Sequence, residues 1–131
     1  MTDAVSLNLT APANAQVDSV TIVIFGGAGD LAHRKLLPAL YNLFVDGVLP
    51  ARTAIVGSGR KELSDDAYRA FAKDGVERFS RRPIDTEKWG AFAGMLAFVN
   101  MSLDEPNGMA TLGSRLDLIE HERGLASNRV Y

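Results

Sequence analysis

The sequence predicts an α/β protein with a Rossmann-like, doubly wound parallel sheet, incomplete and ordered β-α-β-α-α-β-α-β. Three observations carry that expectation. Apolar runs of strand length alternate with stretches of helical periodicity. The first run, Val20-Thr21-Ile22-Val23-Ile24-Phe25, lacks polar alternation, as suits a strand covered on both faces. A glycine cluster, Gly26-Gly27-Ala28-Gly29-Asp30, follows at once and opens a helical pattern.

Residues 1–17 are rich in Ala, Asn and Thr, show little periodicity and read as a flexible tail. Residues 18–131 read as the N-terminal part of a nucleotide-binding domain, cut at its fourth strand. Within them, Leu31 to Asp46 form the first helical pattern, with Leu36, Leu37, Leu40, Tyr41 and Phe44 as a candidate buried stripe. Pro38 lacks a backbone donor, which predicts a kink or restart near Leu37. Gly47 is placed to end this helix. Thr53 to Val56 read as the second strand, followed by Gly57-Ser58-Gly59-Arg60-Lys61. Ser64 is set to cap the next helix, where Asp65 and Asp66 complement the helix dipole and Tyr68, Phe71, Ala72, Val76 and Phe79 keep helical spacing. A shorter helix is expected over residues 86–94 with Trp89 and Phe92 on its apolar side. Residues 96–101 read as a third strand. Met109, Leu112, Leu116 and Ile119 mark a last helix that Gly124 stops. Arg129-Val130-Tyr131 open a fourth strand, leaving the first strand with an open edge.

Composition narrows the function classes. The chain has 131 residues, 47% of them hydrophobic, enough for a real core. It has no cysteine, which removes thiolate metal sites, disulfides and thiol nucleophiles. Fourteen basic residues against sixteen acidic leave no basic footprint, so no nucleic-acid partner is expected. The longest uncharged apolar run is too short to cross a bilayer, so no membrane partner is expected either. No basic residue precedes Arg34, so no signal-peptide n-region is seen and a cytoplasmic location is expected. The acceptor patterns at Asn8 and Asn100 are therefore read as chance matches.

The chemistry is expected in the first strand-to-helix turn. Gly27-x-Gly29-x-x-Ala32 fits the dinucleotide fingerprint, directly after a strand and opening a helix. The first glycine permits a sharp turn, the second lets the backbone approach a pyrophosphate, and the small third residue lets the helix pack on the sheet. Free N–H groups at the helix start favour phosphate. Asp30 would repel phosphate, so it is expected to shape the loop or cap the helix. NAD sites usually place an acid at the tip of the second strand. Here Arg60 and Lys61 occupy that region, which points to NADP, with Arg60 pairing a 2′-phosphate. Glu62 is the nearest acid. The plainer alternatives are an ordinary tight turn and a solvated basic loop.

The segment Ile24-Phe25-Gly26-Gly27-Ala28-Gly29-Asp30-Leu31-Ala32-His33-Arg34-Lys35-Leu36-Leu37-Pro38-Ala39-Leu40-Tyr41-Asn42-Leu43 resembles the N-terminus of the glucose-6-phosphate dehydrogenases. Asp46-Gly47-Val48-Leu49-Pro50 and Ile55-Val56-Gly57-Ser58-Gly59-Arg60 do so too. Gly-x-x-Gly-Asp-Leu, then basic residues, then Leu-x-Pro, is far more specific than the general fingerprint. The resemblance runs more loosely through residues 96–104, the last helix and Asn128-Arg129-Val130-Tyr131.

That resemblance implies an NADP cofactor. It places Gly26, Gly27, Ala28, Gly29, Asp30 and Leu31 around the pyrophosphate, Arg60 on the 2′-phosphate, and Ser102 and Leu103 as a second contact pair. Family members often carry Asp where Ser102 stands, which is a departure. Lys35 matches a lysine near nicotinamide and substrate. The implied reaction oxidises glucose 6-phosphate to phosphogluconolactone, opening the oxidative pentose phosphate route, and full-length relatives are homo-oligomers. The family's catalytic histidine matches neither His33 nor His121, which are both expected at the surface. The family's substrate motifs would lie beyond Tyr131, so no catalytic residue is assigned and the chain is expected to be inactive alone. A non-catalytic nucleotide-binding module or remnant, and another NADP-dependent sugar oxidoreductase, remain the alternatives.

Overall fold

Four strands run parallel in one sheet: β1 (Ser19–Phe25), β2 (Arg52–Gly59), β3 (Leu96–Asn100) and β4 (Arg129–Val130). Their spatial order is β3-β2-β1-β4. This computed structural model describes residues 19–50 and 52–131, so the tail expected over residues 1–17 lies outside the described residues. A π-helical segment (Ala32–Leu36) runs into α1 (Leu37–Val45), and α2 (Asp65–Phe79), α3 (Thr86–Ala93) and α4 (Gly108–Arg123) follow.

The strand order explains the layering. Right-handed crossovers from β1 to β2 and from β2 to β3 step in one direction and put their helices on one face. The connection from β3 to β4 steps back and puts α4 on the other. β1, β2 and β3 therefore alternate between two cores. Ile24, Ile55, Leu96 and Phe98 face Leu37, Tyr41, Tyr68, Ala72, Val76 and Phe92. Val23, Ala54, Val56, Ala97 and Val99 face Leu112, Leu116 and Ile119 of α4. Burial on both faces is why the first strand shows no polar alternation.

The break expected near Leu37 takes the form of the π segment. The Leu37 N–H donates to the Ala32 carbonyl, five residues back, and Pro38 with no N–H then sits in the first turn of α1. The extra residue in that turn shifts the helical phase. Leu36, expected in the buried stripe, is half exposed, whereas Leu37 and Tyr41 are buried. Gly47, with φ +74°, ends α1 in a double closure: its N–H donates to the Phe44 carbonyl and that of Val48 to Leu43. Ser64 caps α2, its hydroxyl accepting from the Ala67 N–H at 3.0 Å.

Both sheet edges are covered in part. On β3, the Asp65 carboxylate accepts from the Phe98 N–H at 2.9 Å, and Arg69 donates to the Leu96 carbonyl at 3.0 Å. The open edge expected along β1 is half closed. β4 pairs with Thr21 and Ile22, and the Thr21 N–H donates to the Asn128 carbonyl at 2.8 Å.

Glu120, on α4, is buried at 3% exposure beneath this edge. Its carboxylate accepts from Thr21 Oγ1 at 2.8 Å and from Arg129 Nη2 and Nε at 2.7 and 2.9 Å. The Arg129 guanidinium holds the Glu120 carboxyl below its usual pKa, against the opposing effect of burial. A depressed folded pKa stabilises the fold above the unfolded value of about 4.3, and that contribution is lost as pH falls through the lower folded value. Glu120→Gln should therefore cost about 1.5–3 kcal/mol at pH 7, the range for hydrogen bonds to a charged group. Urea unfolding from pH 7 down to pH 3 checks this, with the gap between wild type and variant closing only in acid.

Candidate functional site

Three connections meet at the C-terminal edge of the parallel sheet, where open α/β sheets bind ligands. Gly26 to Leu31 follow β1, Arg60 follows β2, and Ser102 and Leu103 lie just past β3. Sequence reasoning therefore placed these nine residues on one edge of the sheet.

The turn after β1 is shaped by missing side chains. Gly26 takes φ +69°, a left-handed conformation that L side chains rarely adopt. A Cβ on Gly27 would stand 2.6 Å from the Gly57 Cα and 3.0 Å from the Tyr68 phenol oxygen. The backbones can meet because Gly27 carries no side chain, and Gly57 must lack one too, since its Cβ would run into the Tyr68 phenol. The Gly27 N–H donates to the Ser58 carbonyl at 3.0 Å, and the buried Tyr68 hydroxyl donates to the Gly27 carbonyl at 2.9 Å. Burial pushes the Tyr68 phenol well above its ordinary pKa, so it stays a donor across the physiological range. The Gly29 N–H donates to the Gly26 carbonyl at 2.9 Å and closes the turn. Ala32, the third small position, is fully buried against the sheet. The N–H groups of Ala28, Asp30 and Leu31 have no acceptor among the described residues, which suits an anion at the helix start.

Of the two roles expected for Asp30, shaping the loop or capping the helix, capping is not seen. No side-chain cap bond is present there, and its exposed carboxylate reaches Arg34 at 3.4 Å. Leu31 and Lys35 are exposed. His33, expected at the surface, is only partly exposed. Its Nε2 lies 2.7 Å from Asp74, and its ring packs against Phe71 and Phe79, so it braces the π segment on α2. His121 is exposed as expected.

β2 does not stop at Val56 but continues through Gly57-Ser58-Gly59, because β3 pairs with all three. Arg60 thus stands directly at the strand tip. The Asn100 amide donates to the Arg60 and Lys61 carbonyls at 2.7 and 2.8 Å and clips this loop to β3. The Arg60 guanidinium pairs with Asp104. An open groove here is lined by Arg60, Asn100, Met101, Ser102, Asp104 and Glu105. The Ser102 hydroxyl accepts from the Asp104 N–H at 3.2 Å, and Leu103 is exposed. Sequence reasoning missed Tyr68, Asn100 and Asp104 as site residues. For Asn100 the available signal was an amide ending an apolar strand.

The family described as glucose-6-phosphate dehydrogenase, NAD binding domain, matches residues 23–131. The chain belongs to the glucose-6-phosphate dehydrogenase family. The glucose-6-phosphate 1-dehydrogenase of Dickeya dadantii is 41% identical over 96 residues, which cover 73% of this chain and 20% of that protein. The enzyme of the same name from Mycolicibacterium smegmatis is 42% identical over 101 residues, 76% of this chain and 20% of that one. A solved glucose-6-phosphate dehydrogenase in complex with its substrate glucose-6-phosphate superposes with a TM-score of 0.70 at 30% identity, covering 84% of this chain and 23% of that one. The chain thus spans about a fifth of the length of these glucose-6-phosphate dehydrogenases. Among the described residues no group of three or more His, Asp or Glu could hold a metal, and no helix is long and apolar enough to cross a membrane.

Gly27→Ala should destabilise the chain by about 1–3 kcal/mol, because the new methyl meets backbone that cannot swing aside. Tyr68→Phe should cost about 1–2 kcal/mol by leaving the Gly27 carbonyl unpaired. Denaturant midpoints of the two variants measure both.

Proposed function

We propose that residues 18–131 are the N-terminal part of the NADP-binding domain of a glucose-6-phosphate dehydrogenase, a cytoplasmic enzyme that oxidises glucose 6-phosphate. The observation that carries this reading is the Gly27–Gly57 contact beside a helix start, with Arg60 at the next strand tip. The residues fit the cofactor. The Gly26–Leu31 turn offers backbone N–H groups and no side-chain bulk at Gly26, Gly27 or Gly29, which suits a pyrophosphate. Arg60 offers a planar charged fork for a 2′-phosphate, and the residue at that tip is not the acid expected of an NAD site. Ser102 and Leu103 border the same edge. NADP supplies the hydride acceptor when bound.

This chain's own residues bind and orient. Gly27 and Gly29 set how near the pyrophosphate can come. Asn100 fixes the backbone from which Arg60 reaches. Lys35, one residue before the α1 junction, is proposed to approach the nicotinamide and substrate. His33 and Asp74 form a His–Asp pair, but Phe71 and Phe79 pack against the imidazole. A general base must reach the proton it removes, so this pair is assigned no proton transfer.

Arg60→Ala should weaken NADPH binding by about tenfold, the worth of one charge-assisted fork, and leave NADH within about twofold. Fluorescence titration of both cofactors measures the split, and equal loss for the two would sink the role of Arg60. Incubating the chain with glucose 6-phosphate and NADP should give no NADPH. Production of NADPH would overturn the structural reading of the His33–Asp74 pair.

A further inference from the structure

Arg60 already has an anion at hand. Its guanidinium pairs with the Asp104 carboxylate across the groove between the ends of β2 and β3. The two side chains are 73% and 75% exposed, so the pair is open to exchange with a ligand. Their backbones, in contrast, are held. Asn100 clips the Arg60 and Lys61 carbonyls to β3. Asp104 leaves β3 through a turn closed by the Ser102 hydroxyl and by the Glu105 N–H, which donates to the Ser102 carbonyl at 3.2 Å. Gly108 packs on that same carbonyl so closely that no Cβ would fit. The start of α4 thereby sets where the carboxylate stands.

We infer that Asp104 is a specificity-determining residue, an internal carboxylate that competes with a nucleotide's 2′-phosphate for Arg60. The inference rests on the proposed nucleotide site. A nucleotide with a 2′-phosphate must displace Asp104 and then lie beside an unpaired carboxylate. One with a free 2′-hydroxyl leaves the ion pair intact. Asp104 thus narrows the preference for NADP over NAD that Arg60 creates. Both charges are exposed, so the effect is modest and screened by salt.

The test uses the 131-residue chain as wild type, Asp104→Asn, Arg60→Ala, the double variant, and Glu87→Gln as a charge-matched control on α3. NADPH and NADH are titrated at low and high ionic strength. Asp104→Asn should tighten NADPH by about three- to tenfold at low salt and NADH by less than about twofold, with the gain shrinking at high salt. Glu87→Gln should leave the ratio of the two affinities unchanged. In the Arg60→Ala background the gain from Asp104→Asn should vanish. Equal tightening of both cofactors, no change in either, or an undiminished gain without Arg60 would overturn the competition while leaving the nucleotide site standing. A wild-type chain that binds neither cofactor would overturn the nucleotide site and this inference together.

Discussion

The site depends on two backbones touching at the end of the sheet. Where the chain leaves β1 it must cross the end of β2, and it does so at Gly27 over Gly57. Such a crossing would ordinarily strand peptide groups away from water. Here both polar groups of Gly27 are satisfied sideways, by the Ser58 carbonyl and the Tyr68 hydroxyl. The phenol does a second job, since Tyr68 belongs to α2 and packs on Phe71 and Phe98. The turn, the second helix and the third strand are thereby joined at one buried phenol.

The rest of the domain keeps that junction in place from both sides. His33 and Gly75 bring the π segment against α2, where a Cβ on Gly75 would run into the His33 carbonyl. On the opposite face, Glu120 of α4 reaches through to Thr21 of β1 and to Arg129 of β4. Arg69 and Arg123 donate to carbonyls at the start of β3, at Leu96 and Met95 respectively, one from each layer of helices. Burial holds the Arg123 guanidinium below its usual pKa, yet it keeps a carbonyl partner. Long polar side chains thus close the sheet ends, while apolar contact fills both its faces.

What could be read in the sequence follows from what periodicity reports. Uninterrupted apolar runs revealed strands buried on two faces, and the Gly26–Ala32 spacing revealed the turn, because each is a local demand on residue size. Pro38 announced a break in the helix for the same reason. The end of β2 was misplaced because Gly57-Ser58-Gly59 resembles a loop until β3 lies beside it. His33 was read as a surface residue because nothing local shows that Phe71, Phe79 and Asp74 pack against it. Asn100 and Asp104 meet the Arg60 loop from about forty residues away. Glu120 meets Thr21 across 99 residues. One-dimensional patterns report which face is buried, and they are silent on which polar groups meet there.

The parallel register gives the candidate site a built-in scale. Phe25 sits beside Ser58, and Gly59 beside Asn100, so the exits from three strands are locked in step. Neighbouring strands lie roughly 4.8 Å apart, and each residue advances a strand by about 3.3 Å. Distances between the three loops are therefore measured out by the sheet rather than by the loops themselves. A slip of one residue between β1 and β2 would move Arg60 by one such step and turn its side chain to the other face. The two hydrophobic layers that forbid such a slip are, in effect, what calibrates the spacing between the glycine turn and the basic strand tip.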